Sequence, residues 1–127
     1  VSLETELYSR LTGYSDLNAK VGSRVYPGYL TQNAALPALS YRRVSADREH
    51  AMGSDPEMAH VAMQVDVWAR TYKEARETAE EVRRALQRWS TSTVQDTFID
   101  NDTDLYEDEN EIHHVAMDFT MHYEEPA

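Results

Sequence analysis

His60-Val61-Ala62-Met63-Gln64-Val65-Asp66-Val67-Trp68-Ala69-Arg70 runs directly into Thr71-Tyr72-Lys73-Glu74, and the change of period at that junction decides the fold. In the first stretch alternate residues are apolar. Val61, Met63, Val65, Val67 and Ala69 share one face of a strand, and His60, Ala62, Gln64, Asp66 and Trp68 share the other. From Thr71 the apolar residues recur every three or four positions: Tyr72, Ala75, Ala79, Val82, Leu86 and Trp89 form a single helical stripe. Arg76, Glu77, Glu80, Glu81, Arg83, Arg84 and Arg88 occupy the rest of that helix. Thr71 and Glu74 have the T-x-x-E spacing of a capping box, which starts the helix at a defined residue. A half-buried strand followed by an amphipathic helix predicts a helix lying on a sheet.

The remaining segments fit that frame. Ser2 is placed to cap a first helix with Leu3, Leu7 and Leu11 on one side and Gly13 at its end. Ser15 and Asp16 precede a short helical turn, Leu17 to Val21, closed by Gly22. Arg24 to Tyr29 predicts a short strand, and Pro27, which lacks an N–H, assigns it to a sheet edge. Ala38 to Ser45 reads as a second strand. Ala46 to Met58 is polar, contains Gly53 and Pro56, and reads as a long loop, with a long hairpin arm as the other option. Val94 to Ile99 predicts a fourth strand with a possible extension through Leu105 and Tyr106, and Glu107 to Glu111 a turn. Ile112 to Glu124 is the longest strand, with Val115, Met117, Phe119, Met121 and Tyr123 opposite His114, Ala116, Asp118, Thr120 and His122. His-Val-Ala-Met occurs at both His60 and His114, two strands with the same burial pattern. The order of elements predicts an α+β fold: a largely antiparallel sheet of about five strands, one long helix packed on it and a short N-terminal helical segment. At 127 residues the expectation is a single domain, 1–127.

Composition excludes several functions. Asp and Glu number 23 against 12 Lys and Arg, a net charge of −11, which argues against nucleic-acid binding through a basic surface. No run of 18 apolar residues occurs, and the opening residues do not read as a signal peptide, so no membrane partner is expected. Without cysteine there is no disulfide framework, thiolate metal site or cysteine nucleophile. Lys20 and Lys73 are the only lysines. A Lys-poor acidic surface resembles that of proteins from salt-loving hosts, because molar salt shortens the Debye length to about 3 Å and screens self-repulsion. An ordinary acidic protein is the other reading.

Chemical motifs are sparse. There is no G-x-S-x-G, H-E-x-x-H or phosphate-cradling glycine loop, so neither an enzyme nor a cofactor is expected. Asp100, Asp102, Asp104, Asp108 and Glu111 occupy positions 1, 3, 5, 9 and 12 of a calcium-loop template, but Leu105 stands where the template requires glycine and the flanks alternate like strands. His60, Asp66, His114, Asp118 and His122 fall on polar strand faces and form a metal cluster only if those strands pair suitably. A calcium- or metal-binding module is therefore an alternative reading. The arginines at 42, 43 and 48 and at 83, 84 and 88 read as intersubunit salt-bridge partners rather than a DNA site.

Several segments together resemble the tail completion proteins of long-tailed phages, also called tail terminator or head–tail joining proteins. They are Val21-Gly22-Ser23-Arg24-Val25-Tyr26-Pro27, Leu36-Pro37-Ala38-Leu39-Ser40-Tyr41, Val65-Asp66-Val67-Trp68-Ala69 with the helix after Thr71-Tyr72, Leu105-Tyr106-Glu107-Asp108, and the strand from His114 to Tyr123. The ordered set spans Leu7 to Tyr123. The resemblance implies a structural virion protein at the tail–head junction, a homo-oligomeric ring of about six copies that caps the tail tube. Its partners are then the tail tube protein and the head–tail connector or adaptor, with genome DNA passing through the lumen unbound. A head-side neck adaptor is the nearest alternative. Such a ring closes through heterologous contacts, for which Arg24 to Tyr29 and the last strand are the candidate edges. Candidate interface residues are Arg42, Arg43, Arg48, Glu49, His50, Met52, Asp55 and Glu57, most of them in the loop Ser45 to Met58, expected to touch the adjacent ring. Asp100, Asp102, Asp104, Glu107, Asp108, Glu109 and Glu111 form an acidic hairpin, part of which is expected to face the lumen, where negative charge repels DNA phosphates.

Overall fold

The structure is a computed structural model and describes residues 2–30, 34–49 and 57–125. Two helices open the chain, α1 (Leu3–Gly13) and α2 (Ser15–Val21), followed by strands β1 (Val25–Pro27), β2 (Ala38–Glu49) and β3 (Glu57–Ala69). Helix α3 (Tyr72–Leu86) then leads to β4 (Val94–Glu107) and β5 (Ile112–Glu125). The architecture is α+β, as the order of elements predicts. The strands form one sheet in the order β1-β2-β3-β5-β4, antiparallel except for the β1–β2 pair.

Local sequence accounts for the helices. The Ser2 hydroxyl accepts from Thr5 N–H at 3.1 Å and opens α1, and the Thr71 hydroxyl accepts from Glu74 N–H at 3.1 Å and opens α3. Gly22 closes α2 at φ 58°, a left-handed conformation that a Cβ disfavours. Leu3, Leu7 and Leu11 of α1 join Ala75, Ala79, Val82 and Leu86 of α3 over one face of the sheet. That face supplies Val61, Met63, Val65 and Val67 from β3 and Val115, Met117, Phe119 and Met121 from β5, all buried. Each large apolar side chain so buried contributes about 1.5–3 kcal/mol. Trp89, part of the expected stripe, is buried just beyond the end of α3. Tyr72 leaves the stripe: as the first residue of α3 it is exposed, and its hydroxyl lies 3.3 Å from Asp104 Oδ2.

The strands depart from the sequence reading in three places. β1 is shorter than Arg24 to Tyr29 but does lie at an edge. β2 runs past Ser45 to Glu49, and Glu57 and Met58 already belong to β3, so the expected loop at 45–58 is in its described parts a hairpin arm. A register shift between Arg43 and Ser45 hides this continuation, because Val44 is looped out and Ala46 returns to the buried side opposite Val61. The last strand is not an edge: β5 is paired along its length with β3 on one side and β4 on the other. Its uninterrupted alternation of apolar residues suits the sheet centre, where both neighbours help seal the face. The second edge is β4, continuous from Val94 to Glu107.

Candidate assembly surfaces

The acidic hairpin is the outer half of β4 with the turn after it. Opposite residues of an antiparallel pair share a face, so Asp102, facing Met117, and Asp104, facing Val115, stand on the helix-bearing side. Arg76 of α3 reaches both, with Nη1 2.9 Å from Asp104 Oδ1 and Nη2 3.7 Å from Asp102 Oδ2. Asp100 sits at a register shift and accepts a hydrogen bond from Thr120 on the opposite face. The calcium-loop carboxylates therefore do not converge: an extended strand turns Asp100 away from Asp102 and Asp104, and Asp108 and Glu111 lie in the turn beyond. Glu107, Asp108, Glu109 and Glu111 are at the exposed end, with Glu111 in the left-handed region at φ 53°. Leu105 and Tyr106 between these acids remain 48% and 51% exposed.

At the other edge Arg42, Arg43 and Arg48 lie on β2. Arg43 is opposite Met63 and Arg48 opposite Ala59, which puts both on the helix-bearing side, whereas Arg42 is on the other face and donates to Gln64 Oε1 at 3.1 Å. Glu49 ends β2 and Glu57 begins β3. His50, Met52 and Asp55 lie outside the described residues. Val44, the looped-out residue, is 51% exposed.

The second arginine group takes partners within the chain. Arg83 Nε donates to Glu80 Oε2 at 3.1 Å, Arg84 Nη1 lies 2.8 Å from Glu81 Oε1, and Arg88 Nη2 lies 2.7 Å from Asp96 Oδ2. Helical spacing of three residues makes the first two pairs local. The hydrogen bond from Arg83 holds the Glu80 carboxyl below the usual carboxylate range, and the same contact raises the Arg83 guanidinium.

The third surface is the sheet face opposite the helices. There the five residues considered for a metal separate into two groups. His114 Nε2 lies 2.9 Å from Asp66 Oδ1, Gln64 Nε2 donates to the same oxygen at 2.8 Å, and the Trp68 ring stacks on His114 at 3.8 Å with its Nε1 donating to Ser40 at 3.0 Å. Several residues away along the strands, His60 and His122 face each other with ring centroids 4.4 Å apart. Asp118 pairs in register with Gln64, between the two groups. Among the described residues no cluster of three or more His, Asp or Glu is close enough to hold a metal ion, and no helix is long and apolar enough to cross a membrane.

The sequence reading missed the exposed apolar residues Val44, Leu105, Tyr106 and Tyr72. Val44, Leu105 and Tyr106 sit among charges in segments of broken alternation, the one signal that marked them as edge rather than core.

Comparison with known proteins supplies the identity of this assembly of surfaces. Among solved structures the chain is similar to a protein described as "Virion of native gene transfer agent (GTA) particle", with 17% sequence identity, a TM-score of 0.77, and 98% of this chain and 96% of that chain covered. At that identity the likeness establishes the shared fold. No curated protein matches the chain. The family described as Tail completion protein gp17 matches residues 5–124, nearly the whole sequence, and the chain therefore belongs to this family of structural, tail-associated virion proteins.

Proposed function

We propose that the chain caps the head-proximal end of a tail tube as a ring of copies, typically six, stops tube growth and joins the tail to the head connector. The chain acts in that ring as one folded unit, by shape rather than by catalysis. The observation that carries this reading, beside the family, is the sheet itself. Among the described residues it has a free edge on each side, and the two edges differ in sequence. A subunit with two unlike edges is suited to head-to-tail contacts, which close into rings when the rotation permits. The acidic tip of the hairpin, Glu107 to Glu111, supplies negative charge to the lumen, along which DNA slides without releasing counterions. The end of the β2–β3 arm, at Glu49 and Glu57, meets the adjacent ring. The acid excess and scarcity of lysine fit a host with high internal salt.

Electron microscopy of particles made without this chain tests the reading. Overlong tails, or tails without heads, are expected. Filled heads that leak DNA instead assign the chain to a head-side adaptor of the neck. A reconstruction with the Glu107 to Glu111 tip on the outer wall ends the lumen assignment.

A further inference from the structure

The two sheet edges are each half blocked, at diagonally opposite corners. On the β2 side, β1 covers Leu39 to Tyr41, and Gly28 N–H donates to Tyr41 O, so among the described residues β2 is open only from Arg42 to Glu49. On the β4 side, Arg88 N–H donates to Thr97 O and Gln87 Oε1 accepts from Ile99 N–H, so β4 is open only beyond Ile99. Both open segments carry what an edge destined for solvent avoids, an exposed large apolar residue: Val44 on one, Leu105 and Tyr106 on the other.

Their charges are complementary on the matching face. On the helix-bearing side the open half of β2 presents Arg43 and Arg48 around Ala46, and the open half of β4 presents Asp102 and Asp104. Arg76 balances one of those two carboxylates and leaves a net negative edge. We infer that the open half of β2 in one copy pairs with the open half of β4 in the next, extending the sheet across the subunit boundary. This deepens the ring reading above and rests on it. Strand directions agree with the pairing. Within the sheet β2 and β4 run in opposite directions, so copies related by rotation about a common axis meet as antiparallel strands. Like edges repel, acid against acid and arginine against arginine, which leaves the mixed pair as the favoured one.

The diagonal placement adds a geometric consequence. Asp104 is level with Leu39 through Val115 and Val67, whereas the open half of β2 is centred on Ser45 and Ala46. With Val44 looped out, successive copies are thus displaced along the strands by five or six residue levels, about 18 Å, against about 19 Å across four strand spacings. A ring closes only when the copies have no rise along its axis, so the strands incline to that axis by about 45°.

Because the chain lacks cysteine, the contact can be read by cross-linking. Ser45 and Leu105 lie on the same, helix-free face of the two open halves. The doubly substituted Ser45→Cys, Leu105→Cys protein, treated with a short bis-maleimide either concentrated in solution or on purified tails, is expected to give species of two, three and more copies. Each single variant is expected to give dimers at most. Adding Arg43→Glu and Arg48→Glu is expected to lower cross-linking about tenfold, and Asp102→Arg with Asp104→Arg in the same chain to restore it. Copies that associate by mass measurement without linking through these cysteines, or linking that is indifferent to the charge reversals, overturn the edge pairing and leave the ring reading standing. A chain that stays single in solution and on tails overturns both.

Discussion

On its helix-bearing side the sheet presents Val61, Met63, Val65, Phe119 and Met121 to α3 and α1, all sealed from water. On the other side the same two strands present His60, Gln64, Trp68, His114 and His122, all partly in water, with Asp66 nearly buried among them at 6% exposure. The strands are equally regular on both sides, so the contrast comes from what covers each face. Where helices supply a second apolar layer, burial alone holds the side chains. Where none of the described residues does, hydrogen bonds and ring stacking across β2, β3 and β5 hold them, from Arg42 through Gln64 and Asp66 to His114 and Trp68. The lesson is that one face stabilises through area, and the other is ordered by partners that must all be present.

Substitutions can break this contrast. Phe119→Ala, at the centre of the covered face, is expected to cost about 3–5 kcal/mol in urea or thermal unfolding, because a cavity opens where neighbours cannot collapse. Asp66→Ala on the uncovered face is expected to cost about 1–3 kcal/mol, since Gln64 and His114 lose a shared acceptor in a nearly dry position. If Asp66→Ala proves as damaging as Phe119→Ala, the distinction between the faces fails. Thr78 sharpens it from the other direction. Its hydroxyl is on the buried side of α3 and finds no hydrogen-bond partner among the described residues, so Thr78→Val is expected to raise stability by about 1 kcal/mol. The smallest effect belongs to the solvent side of α3. Glu80 has its carboxyl lowered by Arg83, so the pair stabilises the fold above the ordinary carboxylate pKa and loses that contribution as pH falls through the lowered value. Both side chains are substantially exposed and screened, and Glu80→Gln is expected to cost less than about 0.5 kcal/mol at neutral pH, with the difference from the parent vanishing in acid.

The covered face was legible in the sequence because its rules are local. Val61 to Ala69 and Val115 to Tyr123 alternate without interruption, and Thr71 marks its helix start within four residues. What was not legible depends on long-range pairing. Nothing in Ile112 to Glu124 announces that two strands flank it, and the edge position first assigned to it belongs to β4. The looped-out Val44 breaks the alternation of β2 and makes its outer half resemble a loop. Asp102 and Asp104 occupy inward positions of β4 yet are acidic and exposed, so the alternation that marks Val94 to Ile99 as strand stops there and its extension through Tyr106 is only an option in the sequence. The register that joins His114 to Asp66 and sets His60 with His122 several residues away is likewise a property of strand pairing, invisible to residue spacing.

The half-blocked edges have one more consequence. A half turn about the sheet normal carries the open corner beside β2 onto the open corner beside β4, so the placement of the open edges is the same right way up and inverted. The placement of the open edges therefore does not distinguish an upright from an inverted second copy in the pairing inferred above. The sign of the charge does: an inverted copy brings Arg43 and Arg48 against their own kind, or Asp102 and Asp104 against theirs. In the edge pairing inferred above, four side chains on two strands then give neighbouring copies a common direction that the placement of the open edges leaves undefined.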